Sequence, residues 1–588
     1  MSPRAVQAAT PATVGAGGGW ATVAGTPELQ GGYVTSTVDG PHTVRGRVGP
    51  KAAVAGKRAV ASSQHPIVTT VLLDTLRAGG NAIDAAIAGS LVQAVVQQDM
   101  TNHAGTVSAL VYEAATGQVH ELNSIGTIVP GLPRFAPVPA GKGLFASFPG
   151  GPIAVTPGFM PGLKALHDRF ATRSWAQACE AAVHWAEQGH PVTSFEHLVR
   201  AQTVDFFLYT PSGRRHFAPD GHLPQVGDRW RSAELAGTMR RLAADGPDHF
   251  ITGEWARDFV TRGNELGWPV RLEHLAAIPP RWSAGYRWEH NGHTVVQQSP
   301  PERQGVFCRI VLGILQELDI VSLGHWSQSA EALYYLAHAL RRASLETGLL
   351  NDPAVFDDAS AAMTSKQLIA GFADILRHAK ARVDLTEHVR LVRGNPAVAA
   401  SGAAEQPVGS CELSVVDGAG NWVQMMNTLQ SGGIPGEVVG GVPMVGSHQM
   451  NGLGSPFEGW HSGGGRPRST LSSTMVLRDG APWLALGSPG NVHCTVPQLL
   501  SNILDFGMRP YDADDAPRCL PYEDDHTISV ESRVAPEVVT GLARLGVLVN
   551  PLPEYDYHMG TYQMSWRQED GALGACSGPR REGVADGL

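Results

Sequence analysis

Between residues 409 and 430, polar and apolar side chains alternate on either side of a short polar cluster, and this alternation predicts a β-hairpin. The cluster is Asp417-Gly418-Ala419-Gly420-Asn421. Its glycines supply positive φ, and Asp and Asn bond their own backbone, as a tight reversal requires. If Asp417 faces Asn421, the pairing runs back until Ser410 faces Thr428. Side chains alternate along a strand, so Ser410, Glu412 and Ser414 share one face while Cys411, Leu413 and Val415 share the other. Two hydroxyls are therefore expected at the open end of the hairpin.

The same reading places a short strand at 59–63 and a helix start at His65-Pro66. That helix ends at Gly79-Gly80, and Asn81 is placed to cap a second, Ala-rich helix running to about Gln98. Helices are also expected near 175–190, over 326–350 and 364–380, and from about 495 after a short apolar strand that leads to Leu486. The segment 394–408 is polar and rich in Ala and Gly, and 432–465 is glycine-heavy. Gly463-Gly464-Gly465 lacks the following Gly-Lys-Ser/Thr of a phosphate cradle, so a loop is expected there.

Composition narrows the classes of function. Of 588 residues, 43% are hydrophobic and 17% charged, which is ordinary for a globular protein able to build a large core. A net charge of −10 provides no basic face for nucleic acid or an anionic membrane, so small-molecule chemistry is the expectation. The six cysteines are too scattered for a disulfide framework or a zinc site. Residues 1–55 contain no apolar h-region and no membrane-length apolar run, and read as a tail. A cytoplasmic protein is expected.

Several motifs resemble those of the γ-glutamyltranspeptidases. Arg77-Ala78-Gly79-Gly80-Asn81-Ala82-Ile83-Asp84-Ala85-Ala86 resembles the opening of that family's large subunit. Ala154-Val155-Thr156-Pro157-Gly158, Gly285-Tyr286-Arg287 and Ser299-Pro300-Pro301 continue the similarity. Ser414-Val415-Val416-Asp417 and Thr428-Leu429 match the family's Thr-Thr-His-x-Ser-Val-Val-Asp and Thr-Leu-Asn strands. The similarity spans roughly 56–580.

The resemblance implies an α+β fold, a four-layer αββα sandwich of the N-terminal-nucleophile hydrolase type, and it implies no metal or organic cofactor. It implies self-cleavage between Gly409 and Ser410, giving a large part (56–409) and a small part (410–588) that stay associated as one unit. Ser410 takes the place of the family's nucleophilic threonine. Its new α-amine, with a reference pKa of about 7.7 to 8.0, would serve as general base. Thr428 would orient the hydroxyl. Cys411 is the competing nucleophile, one position out of register and on the opposite face. Gly490 and Asn491, in Leu486-Gly487-Ser488-Pro489-Gly490-Asn491, match the turn whose backbone N–H groups hold the oxyanion.

The departures fall on the residues that grip substrate. Aligning Pro130 with the family's Arg-Glu-x-Ala-Pro proline puts Gly126 where the carboxylate-clamping arginine belongs. Gln430 and Gly452 replace the family's α-amino-binding Asn and Asp, within a stretch that also holds Gln449 and Asn451. Ser469-Thr470 matches the family's Ser-Ser pair. Losing an arginine clamp costs about 2 to 5 kcal/mol in a desolvated site, so γ-glutamyl compounds are expected to bind poorly. Relatives in actinobacterial antibiotic pathways act on 4-alkylproline precursors and hydrolyse a carbon-carbon bond. That chemistry is one expectation; a small-molecule amide hydrolase or acyltransferase, and an uncleaved binding protein, are the alternatives.

Overall fold

The computed structural model describes residues 48–129, 155–267, 270–277, 280–380, 409–429, 436–444, 465–490, 492–521 and 527–588. Two seven-stranded sheets lie face to face. In chain order their strands are β1 (Val54–Gly56), β2 (Val60–Ser63), β3 (Thr106–Glu113), β4 (Gln118–Ser124), β5 (Arg281–Ser283), β6 (Tyr286–His290), β7 (His293–Gln297), β8 (Cys411–Val416), β9 (Trp422–Thr428), β10 (Thr474–Arg478), β11 (Ala481–Gly487), β12 (Gln563–Arg567), β13 (Leu573–Ser577) and β14 (Val584–Gly587). One sheet has the order β1-β13-β12-β11-β10-β7-β6, the other β14-β2-β8-β9-β3-β4-β5. All pairings within the two sheets are antiparallel.

Between the sheets lies an apolar cluster built by inward positions of both, including Val60, Leu110, Val296, Trp422, Met475, Ala485 and Ala575. On the outer face of the β8-containing sheet pack α1 (Pro66–Arg77), α2 (Ala82–Val96), α3 (Phe159–Phe170) and, behind α2, α4 (Trp175–Gln188). The outer face of the other sheet meets α5 (Gln304–Glu317), α6 (Ala330–Thr347), α7 (Lys366–Lys380) and α8 (Val492–Leu504) in one large apolar cluster. The architecture is the αββα sandwich.

Local sequence explains why α2 can occupy the centre of its layer. Every residue from Ala82 to Val96 is buried, and small side chains allow approach from all sides. Asn81 accepts from the N–H groups of Ile83 and Asp84 while Asp84 reaches back to Asn81 N, closing a capping box. Asp417, in the hairpin turn, accepts from Ala82 N at 2.8 Å and so places a carboxylate at the positive end of the helix. The turn of the β8–β9 hairpin is thus fixed to the helix beneath it.

α1 starts at Pro66 as expected and is capped by His65, whose Nδ1 accepts from Ile67 N. Differences from expectation lie at element ends. α6 starts at Ala330 and not near 326, because Ser329 caps it by accepting from Ala332 N. The approach segment 394–408 and most of 432–465 lie outside the described residues.

Candidate active site

The β8–β9 hairpin has the register anticipated from its turn, with Cys411 opposite Asn427 and Val416 opposite Trp422. Asp417 organises the turn: its Oδ1 accepts from the backbone of Ala419 and Asn421, and its Oδ2 from the Asn421 side chain. At the other end, Ser410 Oγ donates to Thr428 Oγ1 at 2.7 Å. Thr428 is buried and Ser410 half-buried.

Ser410 has φ +82°, a left-handed conformation that a residue with a Cβ adopts only at a cost, about 1 to 3 kcal/mol. Two distant segments hold it there. Its N–H donates to Met100 O at 3.2 Å, and Arg581 Nη1 donates to its carbonyl oxygen at 3.3 Å and to Gln64 Oε1 at 3.3 Å. Burial draws the Arg581 guanidinium down to about 10, and burial pushes the neighbouring Asp99 carboxyl up to about 7, against the pull of Arg200. Met100, Arg581 and Gln64 are contacts that sequence reasoning missed. All three are more than 170 residues from Ser410 along the chain, and no local pattern marks them.

Cys411 points the other way. Its thiol donates to Gln97 Oε1 in the α2 layer, and burial pushes it well above the usual thiol range, so it carries no thiolate at neutral pH.

Behind Thr428 the backbone is packed so closely that side chains have no room. A Cβ on Gly105 would stand 2.2 Å from Thr428 O, and Gly105 O accepts from Gly158 N and Phe159 N. A Cβ on Gly126 would stand 1.6 Å from Thr156 O. The space in front of Gly126 is filled by the Thr156 carbonyl and the Val155 side chain. The loop after Gly126 is joined to the Ser469 segment, since Ile128 N donates to Gly465 O at 2.9 Å. Ser469 and Thr470 are both buried, and Ser469 O accepts from Arg303 N at 3.0 Å. Next to them Glu302, fully buried, accepts from Asn123 Nδ2 and Leu471 N. Burial first, and then the nearby Glu121 charge, push its carboxyl up to about 8.

The Ser488-Pro489-Gly490 turn follows β11 and precedes α8, with Gly490 at φ +101°. Ser488 N donates to Ser472 Oγ at 2.9 Å. Asn491, Gln430, Gln449, Asn451 and Gly452 lie outside the described residues. Among the described residues no group of three or more His, Cys, Asp or Glu is arranged to hold a metal ion. Nor is any helix among them long and apolar enough to cross a membrane.

Residues 69–588 match the family model described as gamma-glutamyltranspeptidase. The chain belongs to the γ-glutamyltranspeptidase family. It is 27% identical, over 91% of its length and 99% of the relative's, to the glutathione hydrolase-like YwrD proenzyme of Bacillus subtilis. To the oxamate amidohydrolase proenzyme of Klebsiella pneumoniae it is 24% identical over 90% of this chain and 98% of that one. The crystal structure of cephalosporin acylase from Bacillus halodurans superposes with a TM-score of 0.77 at 21% identity, covering 95% of this chain and 99% of that chain, which is a likeness of fold. As a γ-glutamyltranspeptidase family member the chain has the catalytic fold of an N-terminal-nucleophile hydrolase, a class of self-processing enzymes that act on small acyl and amide compounds.

Proposed function

We propose that this family member cleaves itself between Gly409 and Ser410 and then uses Ser410 as the nucleophile of an acyl hydrolase whose substrate is not a γ-glutamyl compound. The observation that carries the reading is the left-handed Ser410, with its hydroxyl on Thr428. φ of Ser410 is the torsion set by the carbonyl carbon of Gly409. Scission of that bond abolishes the strained torsion and frees the amine that acts as general base. The large part would be 56–409 and the small part 410–588, held together by shared sheets.

For the substrate, the Thr156 carbonyl and Val155 side chain packed against Gly126 argue against a glutamyl clamp there. We favour an oxalyl acyl group. Oxamate, for which the Klebsiella relative is named, is the amide of that acid. In the version specific to this chain, the substrate is a proline-derived intermediate of secondary metabolism bearing a 2-oxo acid side chain. Ser410 Oγ attacks the ketone carbon, and the oxyanion is met by backbone N–H at Gly490 and Asn491. Collapse breaks the bond to the ring-side carbon, whose electron pair is spread over a conjugated enamine and takes a proton from the Ser410 ammonium. Water, deprotonated by the same amine, releases oxalate from the seryl ester. Gln449, Asn451, Ser469, Thr470 and the residue at Gln430 would line the site.

The test incubates the cleaved protein separately with a γ-glutamyl anilide, with oxamate and with a pyrroline carboxylic acid bearing a 2-oxo acid side chain, following aniline, ammonia and oxalate. Oxalate from the third arm is the expected result. Ammonia from oxamate alone would keep the acyl group and remove the carbon-carbon step. Rapid aniline release with no oxalate overturns the substrate reading.

A further inference from the structure

Where the family pattern Thr-Thr-His-x-Ser-Val-Val-Asp has histidine, this chain has Glu412, two residues beyond Ser410 and on the same face of β8. It lies between the sheets with no exposed surface. Its Oε1 accepts from Gln424 Nε2 at 2.8 Å and from Ser473 Oγ at 3.1 Å, and its Oε2 from Ser472 Oγ at 3.0 Å. Ser472 Oγ in turn accepts from Ser488 N at 2.9 Å. The opposite wall is Gly487, where a Cβ would stand 2.0 Å from Glu412 Oε1, so the turn comes this near only because that residue is glycine.

We propose that Glu412 is a positioning residue: acting through Ser472, its carboxylate holds the Ser488-Pro489-Gly490 turn in register with the Ser410 hydroxyl. One side chain thereby joins the nucleophile strand, the Thr428 strand through Gln424, the 472–473 segment and the oxyanion turn. The chain of donors has a single direction. Ser488 N–H points to Ser472 Oγ, and Ser472 O–H points to the carboxylate. An ionised Glu412 accepts from all three of its partners. A protonated one presents an O–H where one of them must donate, so one link is lost or reversed.

Among the described residues no charged side chain bonds the carboxylate, and those around it are Gln424, Ser472, Ser473 and Gly487. Cys411, the adjacent titratable group, faces the other side of the sheet. Burial raises the Glu412 carboxyl to about 7, so it changes charge in the neutral range. The turn is fully held above that pH and loosened below it.

The inference rests on Ser410 being the nucleophile, and its test uses p-nitrophenyl acetate, an acyl donor independent of the natural substrate. For Glu412→Gln we expect Ser410 acylation to slow about 10- to 100-fold with KM changed less than about 3-fold, and the inflection near pH 7 to vanish. Ser472→Ala should show the same loss, with no further loss in the double variant. Amide exchange over 485–490 should quicken in both. Wild-type acylation and an unchanged pH inflection in Glu412→Gln overturn the proposal, as does a variant merely less stable with its rate intact. If Glu412→Gln is not recovered folded, Ser472→Ala decides, and a normal rate in it overturns the proposal. Cleaved wild-type protein that shows no acylation overturns the Ser410 reading and this one with it.

Discussion

Ser410 and Thr428 close the open end of the β8–β9 hairpin hydroxyl to hydroxyl, 2.7 Å apart, one strand pair beyond the Cys411–Asn427 pair. Replacing Ser410 by Ala should leave a single chain of unchanged length on intact-mass analysis. Thr428→Val keeps the shape and removes the acceptor. It should slow self-cleavage and turnover about 10- to 100-fold, the effect of losing 1.4 to 2.8 kcal/mol. Unchanged rates would show that the contact orients nothing.

Cys411 tests the choice of nucleophile. Its thiol is buried against Gln97 and held in its neutral form. Cys411→Ala should cleave as fast as the wild type, and sequencing of the new amino terminus should begin at Ser410. A fragment beginning at residue 411 would reverse the assignment.

Restoring the family's arginine should fail. A side chain at Gly126 meets Thr156 O at once, so Gly126→Ala should lower unfolding stability by about 1 to 3 kcal/mol. Gly126→Arg should lower it further without conferring γ-glutamyl transfer. Denaturant titration and a γ-glutamyl anilide assay measure the two outcomes. A stable, transferring Gly126→Arg would mean that the Thr156 carbonyl yields.

Glu302 should set a slope in stability against pH. Its carboxyl is pushed up to about 8 in the folded chain, against an ordinary value of 4.5, because burial disfavours the charge. The native state therefore holds a proton that the unfolded chain has released. The contribution is fully present below pH 4.5 and is lost as pH rises towards and through 8. Glu302→Gln removes the titration, so its stability relative to wild type should climb across that window. Parallel curves for the two proteins, by chemical denaturation at each pH, would exclude this burial effect.

What was legible in the sequence was whatever short-range chemistry decides. The Asp417–Asn421 cluster sets the hairpin register, which sets the Ser410–Thr428 pairing, and Asn81 with Asp84 sets where α2 begins. Glu412 was within reach, since alternation already put it on the Ser410 face at a position where the family pattern differs. Its partners Ser472 and Ser473 were not, because they come from the other sheet. Likewise the sequence shows that Gly126 lacks an arginine, but only the fold shows the Thr156 carbonyl occupying the space. Met100 and Arg581, which hold Ser410 in its left-handed form, are brought together by packing alone.

The strand order of the two sheets sets what a cut at Gly409-Ser410 would and would not do. β2 lies between β14 and β8, β9 pairs with β3, β13 pairs with β1, and β10 pairs with β7. In each of these pairs one strand precedes residue 409 and the other follows it. Neither piece owns a complete sheet, and separating them would break five strand pairings at once and bare both edges of each. The break would be covalent without being mechanical: the chain would gain an amino terminus in its interior and no hinge, so the two pieces would have to be born together, and neither could later be exchanged for a copy made elsewhere.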